Sequence, residues 1–277
     1  MKTIHTLKKV SLATLLTFVL SFSSVFAQND TMYIMKSGAI VGQYNVNTEV
    51  DSVIFYKPTI EETTTGTFTD ARDGNQYNWV KIGDQIWMAE NLAYLPSVNM
   101  VADGSEDAAG SYYYVYGYNG TNVADAKATA NYTTYGVLYN WTAAMDGEAS
   151  STTNPSGIQG VCPTGWHLPS DAEWTELTDY LGGTSVAGGK LKETGTTHWT
   201  SPNTGATNET GFTALPGGLR YDGGTFDNIG YNGYWWSATE DDAAYAWYRL
   251  MSSSFSSVYR GYYDSKELGF SVRCVRD

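Results

Sequence analysis

Three kinds of chemistry have residues to support them in this 277-residue sequence: proton transfer, cation binding and contact recognition by tyrosine. Proton transfer has little to work with. Past residue 27 the histidines are His167 and His198, so any Ser-His-acid set must use one of them. The nearest approach to a nucleophile elbow, Gly183-Thr184-Ser185-Val186-Ala187, lacks the final glycine. It also follows a helix pattern and not a strand, so it reads as a helix-ending loop. His167 sits in Cys162-Pro163-Thr164-Gly165-Trp166-His167-Leu168-Pro169, just before a helix start, and reads as a structural hydrogen-bonding histidine. No His-Glu-x-x-His pair offers a zinc site. Gly188-Gly189-Lys190 resembles part of a phosphate loop, but Leu191 stands where that loop needs Ser or Thr, and no strand precedes it. Glu240-Asp241-Asp242 and the set Asp70, Asp73 and Asn75 carry oxygen ligands of the kind calcium takes. Neither matches a twelve-residue calcium loop, and both read as solvated turns. No metal and no cofactor is expected.

Contact recognition is better supplied. Tyrosine alone counts 22. Tyr112, Tyr113, Tyr114, Tyr116 and Tyr118 crowd one short stretch, where each hydroxyl needs a partner if buried. The C-terminal third adds Tyr231, Tyr234, Trp235, Trp236, Tyr245, Trp247, Tyr248, Tyr259, Tyr262 and Tyr263. Trp235, Trp236 and Trp247 are assigned to the core, because large apolar side chains are unfavourable in water. Tyr221, Asn228, Tyr231, Asn232, Tyr234, Phe255, Tyr259, Tyr262 and Tyr263 are then expected on a ligand-binding face, with Arg260 a planar cation beside them. Tyr, Ser and Asn together form adaptable binding surfaces, and Met251–Arg260 has that composition.

The elements that must position these residues begin after an export signal. Lys2, Lys8 and Lys9 precede an apolar run from Val10 to Leu20, and Val25 and Ala27 occupy the −3 and −1 positions of a cleavage site before Gln28. A membrane anchor is the weaker reading, since the run is short and broken by Ser11, Thr14 and Thr17. The two cysteines, Cys162 and Cys274, both follow that site, so one disulfide is expected in an oxidising compartment, with two buried free thiols as the alternative. The balance of 16 Lys and Arg against 29 Asp and Glu leaves a charge of −13. Such a chain repels phosphate backbones, so nucleic acid is excluded as a partner.

Residues 28–57 read as a short β-rich segment, with strands at Met32–Met35, Ala39–Val46 and Val53–Tyr56. The Pro-, Thr- and Glu-rich stretch 58–66 reads as a linker. From 67 to 277 many short strands are expected between Gly-, Asn- and Asp-rich turns, including a hairpin centred on Asp73-Gly74 and a tight turn at Gly83-Asp84. Two helices stand out. One spans Tyr135–Met145, with Leu138, Trp141 and Met145 on one stripe. The other starts at a Ser170/Glu173 capping box and carries Trp174, Leu177 and Leu181 to Gly182-Gly183.

Several strings resemble the Fibrobacter succinogenes major paralogous domain family. They include Asp73-Gly74-Asn75-Gln76-Tyr77, the run Ile82–Leu92, Tyr135–Trp141, Cys162–Pro169 with its helix, Leu215–Gly218, Trp235-Trp236-Ser237 and Gly269–Arg276. The resemblance implies an α+β, C-type-lectin-like domain over 67–277, found in secreted and surface proteins of gut and related bacteria. The superfold is shared with formylglycine-generating enzymes, but their catalytic cysteine pair has no counterpart here. The Glu-Pro-Asn or Gln-Pro-Asp signature of calcium-dependent lectins is also missing. Fold likeness alone confers neither activity.

Three functions compete. The first is a secreted or cell-surface, non-catalytic binding or adhesion module facing a protein or glycan at the cell exterior, with a diversified variable protein as its special case. The second is a structural envelope component without a small ligand. The third is a secreted hydrolase using paired carboxylates, which requires a deep pocket holding two acids of displaced pKa.

Overall fold

The computed structural model describes residues 31–36, 38–45, 47–49, 64–104, 107–262 and 264–277. The export segment, the strand expected at Val53–Tyr56, most of the 58–66 linker and Tyr263 lie outside these residues. Two compact units are present, divided between Glu61 and Glu62. The first contains a hairpin of β1 (Thr31–Lys36) and β2 (Ala39–Asn45), paired antiparallel from Thr31↔Asn45 to Lys36↔Ala39. Gly38, at φ +81°, makes its turn. A two-stranded ribbon cannot bury both its faces, and Tyr33, Ile34, Met35, Ile40, Val41 and Tyr44 are exposed.

The second unit is built on two five-stranded sheets. The first has the order β3 (Thr65–Thr69), β4 (Gln76–Ile82), β5 (Gln85–Met88), β14 (Val275–Arg276), β8 (Trp166–His167). Thr65 and Gly66, assigned to the linker by composition, are already in β3. Its hairpin closes as the Asp73-Gly74 signal predicts: Asp70 N–H donates to Asn75 O at 2.8 Å, and Gly74 takes φ +78°. The second sheet has the order β10 (Thr225–Ile229), β9 (Gly217–Tyr221), β11 (Asn232–Glu240), β12 (Ala246–Ser252), β13 (Val258–Gly261). A small ribbon pairs β6 (Tyr113–Tyr114) with β7 (Leu138–Tyr139).

Among the described residues five helices accompany the sheets: α1 (Val123–Lys127), α2 (Ala130–Tyr135), α3 (Trp141–Met145), α4 (Asp171–Tyr180) and α5 (Thr184–Leu191). The capping box of α4 forms as expected, with both the Ser170 and Glu173 side chains engaged. The helix expected over Tyr135–Met145 is not continuous. Gly136, at φ +74°, ends α2 because a Cβ there would meet Leu92 O at 2.7 Å, and Leu138 turns into a strand. The two long helices are therefore α4 and α5, and α5 occupies residues expected as loop. Its Gly188 and Gly189 are poor helix formers, but a Cβ at either would lie 2.4 Å from Ser257 O or 2.3 Å from Gly205 O. Close packing dictates them.

Alternation along the second sheet separates two apolar clusters. Tyr234, Trp236, Ala238 and Tyr248 join Phe270 in one, whereas Trp235, Met251 and Val258 join Trp174, Leu191 and Trp199 in the other. The expected disulfide is present between Cys162 and Cys274, whose Cα atoms are 6.0 Å apart. It ties the loop before β8 to the residue before β14. No helix among the described residues is long and apolar enough to cross a membrane.

Candidate functional site

Sheet register decides which of the expected contact residues act together. Tyr234 pairs with Leu250, which pairs with Tyr259, so these three lie across one face of β11, β12 and β13. Trp236 and Tyr248 occupy the next row. Ring centroids are 6.4 Å apart for Tyr234–Tyr248 and 6.4 Å for Tyr248–Tyr259. The Tyr234 hydroxyl accepts hydrogen bonds from the amides of Asn228 at 3.2 Å and Asn232 at 3.0 Å. Burial, with Tyr221 and Asp264 nearby, pushes the Tyr234 pKa up to about 12. Burial and a hydrogen bond to Asp264 hold the Tyr248 hydroxyl well above the usual tyrosine range. Tyr221, Asn228, Asn232, Tyr234, Tyr248, Leu250, Tyr259 and Asp264 thus form one array of neutral hydroxyls and amides with a single acid.

Exposure within the array is graded. Tyr221 and Tyr259 are exposed at 39% and 53%, and Asn228 and Asn232 are half-buried. Tyr234, expected to be exposed, is buried at 6%. Its ring stacks on Phe270 at 5.0 Å, so only its hydroxyl edge serves the face, through the two asparagines. Leu250, Tyr248 and Asp264 belong to the array but were missed by composition. Period-two alternation from Tyr234 and Tyr259 is the signal that points to Leu250 and Tyr248.

Arg260 and Tyr262 belong elsewhere. Arg249 pairs with Arg260 on the opposite face of the sheet. Arg260 is not a free cation beside Tyr259. It donates two hydrogen bonds to Asp171 Oδ1 and Oδ2, at 2.9 and 2.7 Å, and its guanidinium lies 3.7 Å from the centre of the Trp247 ring. Buried Arg249 donates to the same Asp171 at 2.7 Å. Burial alone would raise the Asp171 pKa, but Arg260 and Arg249 hold it below the usual carboxylate range. Trp247 is half-buried and not core, because its ring packs at this corner against Arg260 and Tyr262, the latter at 4.6 Å.

Phe255 and Tyr231 are exposed at the turns of one sheet end. Ser253 N–H donates to Tyr231 O at 2.8 Å, joining the two turns. Beneath them Lys192 Nζ, fully buried, donates to the carbonyls of Thr204, Ser252 and Phe255 at 3.0, 2.8 and 2.8 Å. Burial lowers its pKa to about 8.

The groups considered for catalysis and cation binding are engaged internally. His167 is buried between Glu173, 2.6 Å from Nε2, and Asp277, 2.7 Å from Nδ1. Burial opposes its protonation, but those two carboxylates raise its pKa overall. Asp70 is paired with Arg72, Asp73 bonds Asn75, and Glu240 accepts from buried Lys266 at 2.8 Å. A cavity of about 860 Å³ lies over the first sheet, on β4 and its neighbours. It was not foreseen, since its lining comes from β3, β4, α2 and the 211–215 loop, which are distant in sequence. Glu90 is the one carboxylate among the described residues lining it.

Searches of curated proteins and of solved structures return no match. The family model of the Fibrobacter succinogenes major domain matches residues 80–276, a span that begins near the end of β4 and takes in the second sheet, α4, the disulfide and the tyrosine array. The chain therefore belongs to the Fibrobacter succinogenes major domain family.

Proposed function

We propose that this protein is a secreted or cell-surface binding module without catalysis, and that its ligand sits on the tyrosine array of the second sheet. The carrying observation is the row Tyr234–Leu250–Tyr259 with Tyr221 beside it: exposed rings at both sides of a rigid, hydrogen-bonded centre. Rigid aromatic area with hydroxyl handles binds at low entropic loss. Neutral phenols and amides, with Asp264 as the array's acid, suit a neutral or basic protein surface or a glycan at the cell exterior. In this reading the domain is a C-type-lectin-like frame, and the second sheet is its display face. Support for a non-catalytic role comes from His167, locked between two acids, and from a main groove lined by one carboxylate where a carboxylate-pair hydrolase needs two. The diversified case is identified by a near-repeat of the coding sequence beside a reverse transcriptase. The test of the module itself is a binding screen of the exported chain against glycans and surface proteins, repeated with Tyr259→Ala. Loss of at least one hit with an unchanged fold supports the site, and undiminished binding of every hit moves it elsewhere.

A further inference from the structure

The groove on the first sheet is built differently from the tyrosine face. Its volume of about 860 Å³ falls within the ~300–1,000 Å³ of small-molecule sites. Val80, Ala89 and Leu215 give it an apolar strip. Around that strip stand Thr65, Thr67, Gln76 and Thr134. Register sets Thr65 opposite Val80 and Thr67 opposite Asn78, so these side chains share one face of the sheet. Among the described residues no hydrogen bond engages the side chains of Thr65, Thr67, Gln76 or Thr134. Thr65, Thr67 and Gln76 are exposed and Thr134 is half-buried, so their donors and acceptors are open to a ligand in the groove. Glu90 adds fixed acceptors, because Asn78 N–H donates to its Oε2 at 2.8 Å and the Asn78 amide bonds its Oε1.

Charges of both signs surround the groove, so neither sign of ion is singled out. Below the groove Arg273 is fully buried and donates to Asn91 Oδ1 at 3.0 Å and to Thr213 O at 3.3 Å, and both residues line the groove. No carboxylate contacts Arg273 among the described residues, and Glu90 is the acid whose field reaches it. With Glu90 at the rim, Arg273 below and Arg276 5.8 Å from the ring of lining Trp79, charges of both signs are present. A ligand with apolar faces and a hydroxyl edge, and without charge, matches strip, rim and field together. From this geometry we infer that the groove over β4 is a binding site for a neutral oligosaccharide, separate from the tyrosine array. An added peptide strand fits less well: it pairs through backbone at a sheet edge, whereas this groove opens across the side-chain face.

The test titrates the full exported chain with maltohexaose, cellohexaose, xylohexaose and mannohexaose, each to about 10 mM, a range that detects Kd values of about 1 mM or tighter. Thr67→Tyr and Thr134→Tyr block the groove from opposite walls, and circular dichroism checks that each variant folds. The expected result is binding of at least one hexasaccharide by the wild type, weakened about tenfold or more by either folded block variant. Tyr259→Ala should bind it as the wild type does. Absence of binding to all four sugars overturns the inference, as does binding that survives both blocks. Loss in Tyr259→Ala alone moves the sugar to the tyrosine array. A random peptide library retained by the wild type and lost on Thr67→Tyr assigns the groove to polypeptide and equally overturns it.

Discussion

Lys192 shows how a single residue fixes the loops around the proposed face. Its three ammonium hydrogens meet three backbone carbonyls from two loops, and no carboxylate neutralises it among the described residues. Lys192→Met leaves three carbonyls without a donor. At about 1–3 kcal/mol for an unsatisfied buried group, set against relief of a buried charge, the expected net loss at pH 7 is about 2 kcal/mol. The folded pKa of about 8 is below the ordinary 10.5, so the native state holds fewer protons than the unfolded chain between those values. Wild-type stability relative to Lys192→Met should therefore rise across pH 8–10, as read by urea midpoints. His167 behaves oppositely. Its folded pKa is raised, so its contribution is full below about pH 6.5 and is lost as pH rises through the folded value. His167→Gln should lower stability by about 2 kcal/mol at pH 5.5, with a gap to wild type that narrows at alkaline pH. A constant gap across pH would contradict that linkage. His167 was legible as a structural histidine from its place before a helix, but its partner Asp277, 110 positions away, was not, nor were the three carbonyls around Lys192.

Elements were legible where local chemistry decides them. Ser170 and Glu173 announce α4, and Asp73-Gly74 announces the β3–β4 hairpin, because a cap or a turn is settled within four residues. They were illegible where a distant backbone decides them. Gly188 and Gly189 argue against a helix by propensity, yet α5 forms because Ser257 and Gly205 press against it. Gly189→Ala should thus destabilise by about 1–3 kcal/mol from overpacking, although alanine is the better helix former by about 1 kcal/mol. Stabilisation in a denaturant titration would show that the contact yields. The disulfide spans 112 positions, and Cys274→Ser should lower stability by about 2–5 kcal/mol in the same assay.

At the scale of the whole molecule, the binding vocabulary was legible but its geography was not. Tyr259 and Arg260 are neighbours in sequence and point to opposite faces, since strand side chains alternate. Tyr221 and Tyr234 come together only when β9 and β11 lie side by side in one sheet. The ten residues singled out by type therefore divide: Tyr221, Asn228, Asn232, Tyr234 and Tyr259 share an array, Arg260 and Tyr262 join Asp171 and Trp247, Tyr231 and Phe255 cap a sheet end, and Tyr263 lies outside the described residues. Tyr180, the most exposed tyrosine among the described residues at 66%, sits on α4 against the other face and supplies an internal control. The measurement that tests the central claim most directly is tyrosine footprinting by hydroxyl radicals, with and without the tightest ligand from the binding screen. Protection of Tyr221 and Tyr259, with Tyr180 as reactive as before, is the predicted result. Protection of Tyr180, or unchanged reactivity at Tyr221 and Tyr259 under saturating ligand, would contradict the assignment of the array as the binding face.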